Sequence, residues 1–172
     1  LKILKEFCDF LGIEIFASIF NKDRINWCEK LNFNTYKIAS RSITDTKLCK
    51  EVISTKKKII ISTGMYDWKN NGFPYDEENV HYLYCVTSYP TVLENIDMPD
   101  FENGRFAGYS DHTLGINACL FAASRGAKII EKHFSLNQSL QCETEKAHVC
   151  SMNGDELRIL KSYCESLFFL KK

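Results

Sequence analysis

Lys58-Ile59-Ile60-Ile61-Ser62-Thr63 is a short, continuous apolar run that ends in two hydroxyl side chains. A strand with one wet face alternates apolar and polar residues. An uninterrupted run of this length marks a strand covered on both faces, as in parallel sheets flanked by helices. Working outward from it, similar runs occupy Glu14–Phe20, Thr35–Ser40, Val80–Val86, Phe106–Tyr109 and Ala127–Phe134. Successive starts are roughly 21 to 26 residues apart, the length of a compact strand-turn-helix-turn unit.

Helical patterns lie between most of these runs. Ile3, Leu4, Phe7, Phe10 and Leu11 form one apolar stripe, stopped by Gly12. Ile25, Cys28 and Leu31 share a face over Asp23–Leu31, as do Leu48, Val52 and Ile53 over Asp45–Ser54. Gly115–Ser124 is small and apolar, with Gly126 as its C-terminal stop. A last helix starts at Asn153 with Glu156 as its capping-box partner, and it turns Leu157, Leu160, Leu167 and Phe168 inward. Between Gly64 and Val80, Asn-Gly and Pro punctuation predicts a loop with at most a short helical turn.

A (β/α)₈ barrel and a doubly wound sheet both satisfy this alternation. The strand endings favour the barrel. They carry Ser18, Lys37 with Ser40, Ser62 with Thr63, Thr87 with Tyr89, Ser110 with His112, and Glu131 with His133. In a barrel all C-terminal strand ends converge on one mouth, whereas in an open sheet only those near the switch point meet. The expectation is an α/β chain of parallel TIM-type barrel architecture, with about six of the eight units present across residues 1–172. The opening on Leu1, in a helix with no strand before it, suggests that the first strands are absent.

With 172 residues the chain can bury a real core. Its 22 basic and 22 acidic residues cancel, which argues against a nucleic-acid partner. No apolar run approaches the ~20 residues that span a bilayer, and the N-terminal residues lack a signal-peptide pattern. The expected compartment is cytoplasmic. No two of the eight cysteines form a C-x-x-C pair, so the default is eight reduced thiols.

Two motifs carry the sharpest chemistry: Gly108-Tyr109-Ser110-Asp111-His112-Thr113-Leu114-Gly115 and Ile129-Ile130-Glu131-Lys132-His133-Phe134. Each puts a histidine at a strand end, in consecutive units. Neighbouring strands are ~5 Å apart, so the two imidazoles could reach one cation and leave coordination positions for substrate and water. The plainer reading is two separately hydrogen-bonded histidines. Lys37 is the other candidate, since a lysine mid-strand is costly to bury without an anionic partner. It could bind a ligand phosphate or carboxylate with Ser40 and Ser18, form a Schiff base, or pair with a barrel glutamate such as Glu131. Ser62-Thr63-Gly64-Met65 is a weak candidate for an anion cradle, and Tyr89 either contacts a sugar or closes the rim.

The series Phe16-Ala17-Ser18-Ile19-Phe20, Tyr36-Lys37-Ile38-Ala39-Ser40, Ile61-Ser62-Thr63-Gly64-Met65, Cys85-Val86-Thr87-Ser88-Tyr89-Pro90, Ser110-Asp111-His112-Thr113 and Glu131-Lys132-His133-Phe134 resembles the N-acetylneuraminate (sialic acid) synthase family. That resemblance implies a barrel with a divalent metal, usually Mn²⁺, held by His112 and His133. It implies phosphoenolpyruvate against Lys37 and Ser40, with Ser18, Thr87 and Ser110 adding contacts, and an amino sugar near Phe20 and Tyr89. Lys37, His112 and His133 would be the catalytic residues. Carbon 3 of phosphoenolpyruvate would attack the sugar aldehyde polarised by the metal. Water would add at carbon 2, and phosphate would leave with C–O cleavage. The resemblance also implies a homodimer for the full-length protein, with a C-terminal antifreeze-like domain expected to lie outside these 172 residues. Arg41 and Ser42 replace the family's usual acidic pattern, and Gln141–Lys146 replaces its Pro-Gly-Pro-Asp segment, with Glu143 or Glu145 as candidate substitutes for the aspartate. Two other readings are a class I aldolase-like barrel using Lys37 as its amine, and a non-catalytic sugar-binding relative.

Overall fold

The computed structural model describes residues 1–139 and 149–171. They form two compact units, divided between His81 and Tyr82.

In the first unit helix α1 (Lys2–Phe10) precedes strand β1 (Ala17–Ser18), helix α2 (Lys22–Glu29) and strand β2 (Thr35–Ile38). Helix α3 (Thr46–Ile53), strand β3 (Lys58–Ser62) and the short helix α4 (Trp68–Asn71) follow. β1, β2 and β3 are parallel neighbours in chain order, with Ser18 opposite Lys37 and Lys37 opposite Ile60. All four residues of β2 are buried, as are the last four of β3, which is why β3 reads as a continuous apolar run rather than an alternating one. Ile19, Phe33, Tyr36, Ile38, Ile43, Val52, Ile59 and Ile61 make the core of this unit. The helices begin where side-chain caps satisfy the otherwise orphaned amides: Asn21 accepts from Arg24 N, and Asp45 from Leu48 N.

The second unit is built on β4 (Val80–Cys85), β5 (Phe106–Asp111), α5 (Asn117–Ser124), β6 (Ile129–Lys132) and α6 (Gly154–Leu170). β4, β5 and β6 again run parallel in chain order. α5 is stopped just beyond its C-cap Arg125 by Gly126, whose φ of +95° only glycine adopts without strain. α6 opens with the expected capping box, Asn153 accepting from the amides of Asp155 and Glu156 while Glu156 accepts from the Asn153 amide. Ile116, Cys119, Met152 and Leu160 pack into one cluster that holds α5 against α6.

Several expectations change in the structure. The Glu14–Phe20 run pairs only over Ala17–Ser18, while β5 extends past Tyr109 to Asp111. The α1 stripe is present, but Ile3, Leu4, Phe7, Phe10 and Leu11 are all exposed. On α6 only Leu160 is buried, and Leu157 and Phe168 face outward. Periodicity reports which residues share a face, and burial needs an element opposite that face. The seven described cysteines are free thiols; Cys142, Glu143 and Glu145 lie outside the described residues. No described helix is long and apolar enough to cross a membrane.

Candidate functional site

Each unit gathers part of the candidate set. In the first, Lys37 is 4% exposed and donates from Nζ to Ser62 Oγ at 2.7 Å and to the Ile38 carbonyl at 3.4 Å. Adjacent parallel strands bring the two side chains together, since Lys37 lies opposite Ile60, two residues before Ser62. Ser40, in a single 3₁₀ turn just past β2, accepts from the Gly64 amide at 3.1 Å. Lys37, Ser40, Ser62 and the turn at Gly64 therefore bring an ammonium and two hydroxyls to the ends of β2 and β3. Ser18, opposite Lys37 in the register, is exposed. Phe20 is 46% exposed, and the Arg41 guanidinium lies 4.2 Å over its ring. Arg41, which departs from the family's usual pattern, therefore stacks on a candidate sugar-contact residue.

In the second unit His112 and His133 follow directly on β5 and β6, with ring centroids 5.6 Å apart. Tyr89 completes a three-ring group, 4.1 Å from His112 and 6.0 Å from His133. Each histidine is pinned through its backbone, the His112 carbonyl accepting from Thr91 N and the His133 carbonyl from Met152 N, both at 2.8 Å. His112 is 6% exposed, and its Nδ1 donates to the Val86 carbonyl at 2.8 Å. Burial draws its pKa below the usual histidine range, although the Val86 carbonyl favours the charged form. Burial favours the neutral ring, and because a carbonyl can only accept, the neutral ring holds its proton on Nδ1 and carries on Nε2 the lone pair a metal requires. A cavity of about 100 Å³ is lined by Ser110, Asp111, His112, Glu131, Lys132 and His133. Thr87 is exposed beyond the end of β4.

These residues fit a divalent cation. With metal–imidazole bonds of about 2.1 Å, two rings on one cation have centroids roughly 4.6 to 5.6 Å apart for ligand angles of about 90 to 120°. The observed separation stands at the wide end of that span. Among the described residues no group of three or more His, Cys, Asp and Glu side chains is placed to hold a metal ion, so His112 and His133 are the ligand pair that these residues offer.

Ser62 is the residue the sequence undervalued. Its motif reads as a weak cradle, yet it is the direct hydroxyl partner of Lys37. Its signal was positional, because strand endings at the same level of a parallel sheet are neighbours.

The two units define a parallel α/β protein whose strands end in cationic, hydroxyl and imidazole groups, with Lys37, Ser62, Ser110 and His112 buried. More narrowly, the chain belongs to the NeuB family, whose model matches residues 1–169. It is 31% identical over 173 residues to the N,N'-diacetyllegionaminic acid synthase of Legionella pneumophila, covering 92% of this chain and 48% of that protein. It is 34% identical over 155 residues to the pseudaminic acid synthase of Helicobacter pylori, covering 84% of this chain and 45% of that protein. Among solved structures, the N-acetylneuraminic acid (sialic acid) synthetase of Leptospira borgpetersenii in complex with citrate matches with a TM-score of 0.84 and 27% identity. That match covers 96% of this chain and 60% of the other. The chain spans about half the length of the curated relatives it matches.

Proposed function

We propose that this chain supplies binding strands of a synthase that condenses phosphoenolpyruvate with an N-acetylated amino-sugar aldehyde, releasing phosphate and a nonulosonic acid. Membership of the NeuB family and relatives named as legionaminic and pseudaminic acid synthases support that reaction class. The proposal includes a (β/α)₈ barrel, in which the C-terminal strand ends share one mouth. The observation that carries it is the His112–His133 pair lining one small cavity, with His112 Nδ1 occupied by a carbonyl.

His112 and His133 hold the cation in this reading, with Mn²⁺ as the metal. When bound, it supplies Lewis-acid polarisation of the sugar aldehyde. The Val86 carbonyl keeps the His112 proton on Nδ1, so ring and ligand atom stay oriented. Lys37, from its buried position, binds an oxygen of the phosphate or carboxylate, and the charged hydrogen bond is strengthened by the exclusion of water. Ser62 orients the Lys37 ammonium, and Ser40, Ser18, Ser110 and Thr87 add hydroxyl contacts to phosphoenolpyruvate. Phe20 and Tyr89 line the sugar side. Holding the enol carbon in register with the aldehyde converts a bimolecular encounter into a positioned one.

The test is calorimetric titration of Mn²⁺, with and without phosphoenolpyruvate, into the complete gene product. Binding that tightens with phosphoenolpyruvate and vanishes in His133→Ala is the expected result. A folded wild-type protein that takes up no Mn²⁺ would overturn the reading.

A further inference from the structure

Immediately before the two histidines, Asp111 and Lys132 end β5 and β6 and stand opposite one another in the register. Lys132 Nζ donates to Asp111 Oδ2 at 2.5 Å, and both side chains are fully buried. The same carboxylate accepts from the Tyr109 hydroxyl at 2.9 Å, Thr113 N at 3.0 Å, Thr113 Oγ1 at 3.1 Å and the Cys119 thiol at 3.2 Å. Lys132 also donates to the Thr113 carbonyl at 2.9 Å. Two side chains thus tie together β5, β6, the turn after β5, and α5. Burial and the adjacent carboxylate push the Tyr109 hydroxyl and the Cys119 thiol well above their usual pKa ranges, so both remain protonated donors.

A buried ion pair is a poor way to gain stability, because desolvating two charges offsets their attraction and an apolar pair of similar volume often does as well. What it adds over an apolar contact is direction. Five donors converge on one carboxylate, and the ammonium is shared with the carbonyl of the turn that leaves His112. Consecutive strand residues face opposite sides, and here Asp111 meets Cys119 of α5 while His112 meets Tyr89.

We propose that Asp111 and Lys132 are a positioning pair for the histidines. They lock the end of β5 to the end of β6, so that His112 and His133 present their rings at one separation and angle to a divalent cation. The inference rests on the reading that these histidines hold the metal, and it adds the device that sets their geometry.

The experiment compares the complete wild-type protein with the double variant Asp111→Asn/Lys132→Met, which removes both charges at similar volume. Thermal unfolding, Mn²⁺ titration by calorimetry and the electron paramagnetic resonance spectrum of bound Mn²⁺ are recorded for each. The expected result is a folded variant whose Mn²⁺ affinity falls about 10- to 100-fold, the range for groups that orient metal ligands, with an altered spectrum. A folded double variant with unchanged affinity and spectrum overturns the inference. Should the double variant not fold, Lys132→Arg keeps the charge but not the single-point contact to Asp111 and Thr113. A several-fold loss of Mn²⁺ affinity at near-wild-type thermal stability supports the pair, and unchanged affinity rejects it. Absence of Mn²⁺ binding by the wild type would overturn the metal reading and this inference together, whereas equal binding by wild type and variant overturns the inference alone.

Discussion

Gly108→Ala tests the strand contact from which both histidines are hung. Gly108 lies opposite Ile129 in the β5–β6 register, and a Cβ at Gly108 would sit 1.9 Å from the Ile129 carbonyl oxygen, 2.7 Å from its carbon and 2.9 Å from its Cα. Ordinary carbon–oxygen contacts begin near ~3.3 Å, so a methyl group must drive the two backbones apart by roughly 1.4 Å. Hydrogen bonds stretched by that amount no longer meet bonding geometry. Losing about three at a net ~1 kcal/mol each costs about 3 kcal/mol. For a chain of this size that corresponds to a drop of roughly 6 to 12 °C in Tm. Gly12→Ala is the control, because Gly12 has a φ of +68° but nothing within 4 Å of the place a methyl group would take. It should cost only the left-handed strain of about 1 kcal/mol. Differential scanning calorimetry of the complete protein reads both, and Mn²⁺ titration of the surviving fold reads the histidine spacing. A Gly108→Ala protein within about 2 °C of wild type, on the scale of ~2–4 °C per kcal/mol, would refute the close approach of the two backbones. A lowered Tm with unchanged Mn²⁺ affinity would refute the link between strand spacing and the histidine pair.

Two further outcomes are expected. Lys37→Met should weaken phosphoenolpyruvate binding roughly 10- to 150-fold, the equivalent of a charged hydrogen bond of about 1.5–3 kcal/mol, with Mn²⁺ affinity and Tm little changed; calorimetry with phosphoenolpyruvate measures it, and wild-type affinity would remove Lys37 from the ligand site. In metal-free protein the pH dependence should follow the histidines. Burial, with Lys58 adding to it, lowers the pKa of His81, and burial lowers that of His112. The unfolded state then binds more protons than the folded state below the ordinary value of about 6.5, so the stability these rings contribute is intact above that pH and falls away beneath it. His81→Gln should flatten the fall in denaturant midpoint between about pH 7 and 5, and an identical slope in the variant would contradict the assignment.

Much of the fold was legible because the physics that writes it is local. The Lys58–Thr63 run, the Asn153/Glu156 capping box and the stop at Gly126 each needed only neighbouring residues to be read. What failed depended on distant partners. Glu14–Phe20 has the composition of a strand, yet only Ala17 and Ser18 find a ladder on β2. Phe7 and Phe10 have the spacing of a buried stripe, but exposure is set by what lies across from them. Leu157 and Phe168 miss the cluster that takes Leu160 for the same reason.

The site was legible in a similar, uneven way. His112, His133 and Lys37 announced themselves as residue types that are costly or reactive where the sequence put them. Asp111 and Lys132 stand in the same two motifs but carry no such signal, because each looks like a spacer beside a histidine. Alternation along a strand gives the missing argument. If His112 is turned toward Tyr89, its predecessor must face the other side, and a charge buried there requires a partner of opposite sign. Lys132 occupies the equivalent place before His133, one strand over and opposite in the register. Two strand ends that each pair a charged residue with a histidine, with charges of opposite sign, therefore encode a face that carries the histidines and an ion pair behind it. Such an ion pair needs only parallel neighbours in register, which the strand spacing already implies, so it could have been derived with the histidines.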